Sequence, residues 1–135
     1  MAYITTAEAH NQLILALLAN LPAGFTPSLV KLPNRSMPSG YQNGAWLRPT
    51  TVIFDSDINA ADGNCERTTG NFIIDMIFPI GEDTAAYRIK ADEIKAAFKA
   101  QEFGEVYTQG VTITDNPDDN FYILQIAVNF YFEGA

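Results

Sequence analysis

The sequence predicts an α+β protein in which a mixed, mostly antiparallel sheet of about five strands carries two packed helices. Two segments repeat apolar residues at helical spacing, and several others repeat them at every second position, as strands do. The links between neighbouring strands are of hairpin length, which favours antiparallel pairing. With 135 residues, the chain can build one domain with a hydrophobic core but not two. Residues 1–135 are therefore expected to form a single domain.

A capping signal opens the first helix, which is predicted over Thr6 to Asn20. Thr5 and Glu8 have the three-residue spacing of a capping box, and Pro22 stops the helix at its far end. One apolar stripe runs along this segment: Leu13, Ile14, Leu17, Leu18 and Leu21. The stripe is expected to pack on the protein's own sheet, although the same pattern could also serve the groove of a partner.

The second helix is predicted from about Thr84 to Ala100, with Asp83 or Thr84 as its N-cap. Its apolar positions have spacings of four, three and four and form a single buried stripe: Tyr87, Ala91, Ile94 and Phe98. The charged residues between these positions indicate a solvated outer face. Gly104 is expected to end the element.

The segment from Cys65 to Phe78 is predicted to be the long central strand of the sheet. One face is fully apolar: Phe72, Ile74, Met76 and Phe78. The opposite face is mixed, and this mixture suits a subunit interface better than free water: Asn71, Ile73, Asp75 and Ile77. Gly70 is expected to bend or bulge the strand, and Pro79 ends it because it cannot donate to a ladder.

Other segments have strand character of different kinds. Ala45 to Asp55 contains Pro49, which predicts an edge strand, a bulge or two strand pieces. Val106 to Thr114 is predicted to be a strand that is broken at Gly110. Ser28 to Leu32 is a weaker candidate for a short strand.

Two segments indicate contacts with other subunits. Phe121 to Phe132 is apolar on both faces, and such a strand is usually central in its sheet or covered by another subunit. The loop from Pro33 to Gly44 is longer than most connections inside a compact domain and is interpreted as a contact surface. The candidate interface residues come from this loop, the edge strand and the long strands: Arg35, Met37, Tyr41, Trp46, Arg48, Arg67, Phe121, Ile123 and Tyr131.

Composition and motifs argue against nucleic-acid binding and against catalysis. The formal net charge is −8, whereas neutralising phosphates requires clustered Lys or Arg. His10 is the only histidine and lies in a helix, and Cys65 has no histidine nearby in the sequence. No serine lies in a nucleophile elbow. We therefore expect neither an enzyme nor a bound cofactor.

Metal and membrane signals are also weak. The turn-rich loop from Ser56 to Asn64 carries oxygen ligands, but counting from Asp57 places Asp62 and Thr68 where an EF-hand needs Gly and Glu. No metal site is therefore expected. The longest apolar run, Leu13 to Leu18, is too short to span a bilayer. The N-terminus has no basic segment before an apolar run, so no signal peptide is predicted.

Six short motifs follow one another along nearly the whole chain. They are Leu13-Ile14-Leu15-Ala16-Leu17-Leu18, Leu32-Pro33-Asn34, Trp46-Leu47-Arg48, Thr68-Thr69-Gly70-Asn71-Phe72, Phe78-Pro79-Ile80-Gly81, and Ala91-Asp92-Glu93-Ile94 with Phe98. Their order and spacing resemble those of the small tail-terminator-like proteins of long-tailed bacteriophages. No catalytic residue is carried over by this resemblance.

The resemblance implies a structural virion protein. It implies a six-fold ring that caps the tail tube, stops tube polymerisation and offers a docking face to the head-side connector. The implied partners are other copies of the chain, the tube protein and the connector, while DNA passes through the ring without specific binding and no membrane is involved. The implied location is the head-proximal end of the tail, after assembly in the host cytoplasm. Two alternatives stay open, a head–tail adaptor or tail-completion protein and a host domain that binds a small ligand or a protein.

Overall fold

The structure is a computed structural model. It describes residues 4–33, 44–58, 66–81, 83–118 and 120–134, without the side chains of residues 55–58. Two helices and five strands follow one another along the chain, and the predicted α+β class is confirmed. In chain order the elements are α1 (Thr6–Ala19), β1 (Trp46–Ile58), β2 (Glu66–Pro79), α2 (Thr84–Phe98), β3 (Glu102–Phe103), β4 (Val106–Asp115) and β5 (Phe121–Gly134).

The five strands form one sheet in the order β1-β2-β5-β4-β3. Every pair of neighbouring strands is antiparallel. β5 holds the middle position, as its apolar pattern on both faces predicts. The segment predicted to be central, β2, lies next to it, between β5 and β1. The sheet is therefore centred on the last strand of the chain rather than on β2.

The N-cap signals of both helices are confirmed. The Thr5 hydroxyl accepts from the Glu8 backbone N–H at 3.2 Å, and the Glu8 carboxylate accepts from the Thr5 N–H at 3.2 Å, which completes the capping box. At α2, the Asp83 carboxylate accepts from the Ala85 N–H at 2.9 Å. These bonds satisfy backbone donors that lack a partner in the first turn of a helix.

Both helices pack on the same face of the sheet, where a single core forms. From α2, Phe98 lies with its ring centroid 5.8 Å from that of Phe72 on β2, and Tyr87 stacks on Phe78 at 4.0 Å. From α1, Leu13 and Leu17 are fully buried. The predicted apolar face of β2 is confirmed, because all of its members have no exposed surface: Phe72, Ile74, Met76 and Phe78. Burial of this apolar surface is the main stabilising contribution to the fold.

β1 is the edge strand that its proline predicts. The Lys31 N–H donates to the Leu47 carbonyl at 2.7 Å, so that carbonyl points away from β2. Hydrogen-bonding direction alternates along an antiparallel strand, and Pro49 therefore has its nitrogen on the same outer side. The missing N–H of Pro49 costs no bond between β1 and β2.

The expected bulge at Gly70 lies in the partner strand instead. The register between β1 and β2 passes from Ile53 opposite Gly70 to Asp55 opposite Thr69, which makes Phe54 the extra residue. The pairing of β2 with β5 is continuous at Gly70. Gly70 has a different role, because a Cβ there would lie 2.3 Å from the Val52 carbonyl oxygen. Glycine thus permits a close approach of two backbones.

Two further predictions need correction, and one is confirmed. Gly104 does not end α2, which stops at Phe98; it forms the turn between β3 and β4 with a φ of 62°. A 3₁₀ turn at Pro27–Leu29 takes the first two residues of the short strand predicted over Ser28 to Leu32, and Val30 forms only an isolated parallel bridge to Leu47 of β1. The break at Gly110 is confirmed as a bulge, because the register between β4 and β5 shifts between Thr108 and Val111.

Candidate subunit-contact surface

The side of the sheet opposite to α1 and α2 carries most of the candidate interface residues. Neither of the described α-helices packs on this side, which we call the helix-free face. Six of the nine candidates lie in described segments, and the strand registers place all six on it: Trp46, Arg48, Arg67, Phe121, Ile123 and Tyr131. The other three candidates, Arg35, Met37 and Tyr41, lie outside the described residues. The sequence therefore selected positions that share one surface.

One end of the helix-free face is apolar. Trp46 on β1 lies opposite Ile77 on β2, which in turn lies opposite Ile123 on β5. Phe121, two residues before Ile123, pairs with Pro79 at the same end. Trp46 is only 6% exposed and Ile77 only 3%. These two side chains are therefore already buried within a single copy of the chain.

Next to this end, Arg48 and Gln125 hold a buried carboxylate. The Arg48 Nη2 donates to Asp75 Oδ2 at 2.9 Å, and the Gln125 Nε2 donates to Asp75 Oδ1 at 3.2 Å. Asp75 is only 7% exposed. Both of its oxygens have partners, and this offsets the desolvation of the charge. The Arg48 guanidinium also lies 5.9 Å from the centre of the Trp46 ring.

A second ion pair lies at the opposite end of the face. The Arg67 Nη2 and Nε both donate to Glu133 Oε1, at 2.7 and 3.0 Å. The Arg67 guanidinium lies 4.7 Å from the centre of the Tyr131 ring, which stacks on Tyr107 at 5.2 Å. Arg67 itself keeps nearly half of its side-chain surface exposed. Guanidinium groups beside aromatic rings are common at the centre of protein interfaces.

The middle of the helix-free face is polar. Asn71 on β2 lies directly opposite Asn129 on β5. Within the described residues, the Oδ1 atom of Asn71 is buried and accepts no hydrogen bond. A buried acceptor without a donor lowers stability, so such groups are rare in proteins.

A polar cluster off this face was missed by sequence reasoning. Arg88 on α2 donates to the Asp115 carboxylate, and the Tyr122 hydroxyl donates to the same carboxylate at 2.5 Å. The hydrogen bond from Arg88 is the main cause that lowers the pKa of Asp115, and the bond to Asp115 raises the pKa of Tyr122. No local pattern could reveal this cluster, because its members come from three different elements.

Replacing Arg88 with alanine should raise the pKa of Asp115 towards its ordinary value, since the largest cause of the shift is removed. A carboxyl whose pKa is lowered by folding stabilises the fold above its unfolded pKa, and this contribution is lost as pH falls through the lowered value. NMR titration of the Asp115 carboxyl carbon would measure the change. Lys95→Ala on the same helix is the control and should leave the pKa where it is. An unchanged pKa in Arg88→Ala would contradict the assigned cause.

The described residues do not assemble a recognisable catalytic or metal site. His10 bonds through Nδ1 to the Thr51 hydroxyl at 2.6 Å, and burial lowers its pKa. No group of three or more His, Cys, Asp or Glu that could hold a metal occurs within the described ranges. The loop weighed as a calcium site falls largely outside them. Of the helices described, none is long and apolar enough to cross a membrane.

The protein thus belongs to the class of small α+β folds in which helices cover one face of the sheet and leave the helix-free face uncovered. Comparison with known families identifies the family within this class. A family model described as phage tail terminator protein matches residues 12–123. The chain belongs to the phage tail terminator family. Membership gives it a structural role in phage tails, in association with other tail proteins of the virion.

Comparison with individual proteins supports the fold. A solved structure has a TM-score of 0.61 to this chain, with 93% of this chain and 96% of the other covered. The two sequences are 19% identical, so the likeness bears on the fold alone. No curated protein matches the chain.

Proposed function

We propose that this protein is the tail terminator itself: a ring of six copies that caps the tail tube, stops tube polymerisation and joins the tail to the head. The family match over residues 12–123 is the observation that carries this proposal. In the proposal, residues 1–135 act as one domain, which agrees with the single core shared by both helices and the sheet. The partners are the tube protein on one side and the head-side connector on the other, at the head-proximal end of the tail.

The helix-free face supplies contacts between subunits in this proposal. It has the composition of an interface, with an apolar end formed around Trp46 and Ile123 and with Arg48 and Arg67 half exposed beside aromatic rings. Interfaces are enriched in aromatic residues and Arg, and their centres are depleted of unpaired charge. The carboxylates of Asp75 and Glu133 already have arginine partners within one subunit.

Net charge is compatible with a passage for DNA. Six copies would carry six times the formal charge of −8, or about −48. Acids that line a lumen would repel DNA phosphates and let the DNA slide without specific binding. A basic lumen in an assembled ring would contradict this part of the proposal.

Two measurements test the function. Native mass spectrometry of the purified chain, with and without tail tubes, should show a species of about six times 14.8 kDa. Phage that lack the protein should produce overlong tails, because nothing stops tube growth. Tails of normal length that fail to join heads would instead identify a head–tail adaptor. A chain that stays monomeric, never caps a tube and binds a small ligand would favour a host binding domain.

A further inference from the structure

We propose that successive copies of this chain join edge to edge, with β1 of one copy pairing with the open part of β4 in the next. This inference rests on the proposed ring and names two strand edges that join neighbouring copies, in addition to the contacts of the helix-free face. Each surface offers backbone groups, exposed side chains and a local charge, and the two surfaces differ from each other.

The second half of β4 is an open sheet edge. The Asn116 N–H donates to the Ile123 carbonyl of β5 at 2.8 Å, which fixes the alternation of hydrogen bonds along the strand. It follows that Val111, Ile113 and Asp115 direct their N–H and C=O groups away from β5.

The first half of β4 is already occupied. The Thr108 N–H donates to the Gln101 carbonyl at 2.9 Å, and the Ala100 N–H donates to the Gln109 carbonyl at 3.0 Å. β3 itself pairs only with Val106 and Tyr107. Among the residues that the structure describes, no strand lies beside residues 111–115 on this side. Five residues are thus left for an added strand, close to the usual length of a β-strand.

A groove runs along this open edge. It has a volume of about 500 Å³ and lies between α2 and β4, lined by Arg88, Asp92, Lys95, Val111, Thr112 and Ile113. Its floor can take apolar side chains of an added strand. Lys95 forms no ion pair with any described residue, so its charge is available to an acidic partner.

β1 offers the matching surface on the far side of the sheet. Beyond Pro49, alternation directs the backbone groups of Thr51 and Ile53 outward. Ile53 is 40% exposed and Phe54, the bulged residue, 61%. Within the described part of the chain, no segment pairs with this outer side beyond Leu47, and such an edge with exposed apolar side chains is a template for pairing with another chain. From Pro49 to Ile58 the sequence contains two acids and no base, a charge opposite to that of Lys95, whereas Arg88 already has Asp115 as its partner.

Charge and position favour a second copy of the chain as the partner of each open edge, with the copies arranged head to tail. Pairing β4 with β4 would bring Lys95 of both copies together, and pairing β1 with β1 would bring two acidic strands together. Pairing β1 of one copy with β4 of the next avoids both repulsions. Because the two edges lie at opposite sides of the sheet, each copy can engage two neighbours, and such contacts close into a ring when the rotation divides the circle. Trp46 and Arg48 on β1 would then lie beside the junction.

Engineered disulfides test the pairing. In a Cys65→Ser background, Val52→Cys on β1 is combined with Thr112→Cys or Thr114→Cys on β4. Within one copy these strands are three strand spacings apart, roughly 14 Å, which is too far for a disulfide. Across a paired edge the Cα atoms come within bonding range. Mild oxidation is expected to give a ladder of covalent oligomers that ends at six copies.

Single-cysteine variants are the matched controls and should stay monomeric on denaturing gels. A covalent dimer from any of the three would show pairing of like edges and overturn the proposal. A six-copy ring by native mass spectrometry without a ladder from either double variant would reject edge pairing and leave the ring standing. A ladder without any six-copy species would support edge pairing and count against the ring.

A charge variant provides a second readout that needs no crosslink. Ile53→Lys, at the exposed edge, should raise the concentration at which the ring dissociates by about tenfold, since it removes an apolar contact and adds a buried charge. Leu15→Lys introduces the same charge on α1, at a side chain that is 65% exposed and that belongs to neither paired strand. It should leave the ring unchanged. Equal weakening by both variants would overturn the proposal.

Discussion

Replacing Phe98 with alanine is expected to lower the free energy of unfolding by about 3–5 kcal/mol. Phe98 is fully buried near the end of α2 and contacts the rings of Phe72 and Phe103, with centroids 5.8 and 5.2 Å away. Alanine would leave a cavity between the helix and the sheet that rigid neighbours fill only in part. Urea unfolding followed by circular dichroism would measure the loss.

Ile89→Ala is the matched control for this variant. Ile89 lies on the same helix but is 62% exposed, so the change should stay within about 0.5 kcal/mol. Both variants must be compared at one protein concentration, because association stabilises the folded state. A loss below about 1 kcal/mol in Phe98→Ala would show that α2 does not anchor the core as described.

Substituting alanine for Gly70 is expected to cost about 2–3 kcal/mol. The new Cβ would lie 2.3 Å from the Val52 carbonyl oxygen of β1 and 2.9 Å from Cζ of Phe130 on β5. One neighbour is backbone and the other belongs to the packed core, so neither can move without strain. The sheet would have to separate at the junction of three strands.

Gly110→Ala tests whether this cost comes from crowding rather than from loss of any strand glycine. No heavy atom lies within 4 Å of a Cβ at Gly110, so this variant should be neutral or stabilise slightly, by reducing the freedom of the unfolded chain. Thermal unfolding of the two variants in parallel gives the comparison. Similar midpoints for both would argue against the close approach at Gly70.

Local signals allowed much of the fold to be predicted from the sequence. The capping box at Thr5, the alternation in β2 and the stripe on α2 each depend on residues a few positions apart, and all three are confirmed. Pro49 predicted an edge strand, a bulge or two strand pieces, because a missing N–H is tolerated at such places, and β1 is an edge strand. These features follow from backbone chemistry that needs no knowledge of distant partners.

Features that depend on distant pairing could not be predicted. Gly104 resembles a helix stop in sequence, but β3 and β4 use it as a hairpin turn. The bulge near Gly70 was assigned to the wrong strand because a bulge is shared between partners, and only the register shows which strand holds the extra residue. Likewise Arg88 and Asp115 are 27 positions apart, a distance at which no periodicity links them.

Local alternation along the strands also explains why the candidate interface residues share the helix-free face. Alternation placed Arg48, Arg67 and Tyr131 among outward positions of their strands, and one sheet made these positions a single face. β5, which is apolar on both sides, left open which face the helices would cover, whereas β2 indicated it through one fully apolar and one mixed face. The packing of Leu17 and Phe98 against the sheet decides it.

The middle place of β5 in the sheet also governs when the chain can fold. β5 is the last strand in sequence, yet it separates β2 from β4. Until it is synthesised, the β1–β2 hairpin has one apolar edge without a neighbour, and β4 has no long partner. The pairing of β2 with β5 joins segments far apart in sequence. Such non-local pairings form slowly and leave apolar surfaces exposed until they form. Folding is therefore a late event that waits for the final strand, and a nascent chain lacking it would be a target for chaperones and proteases.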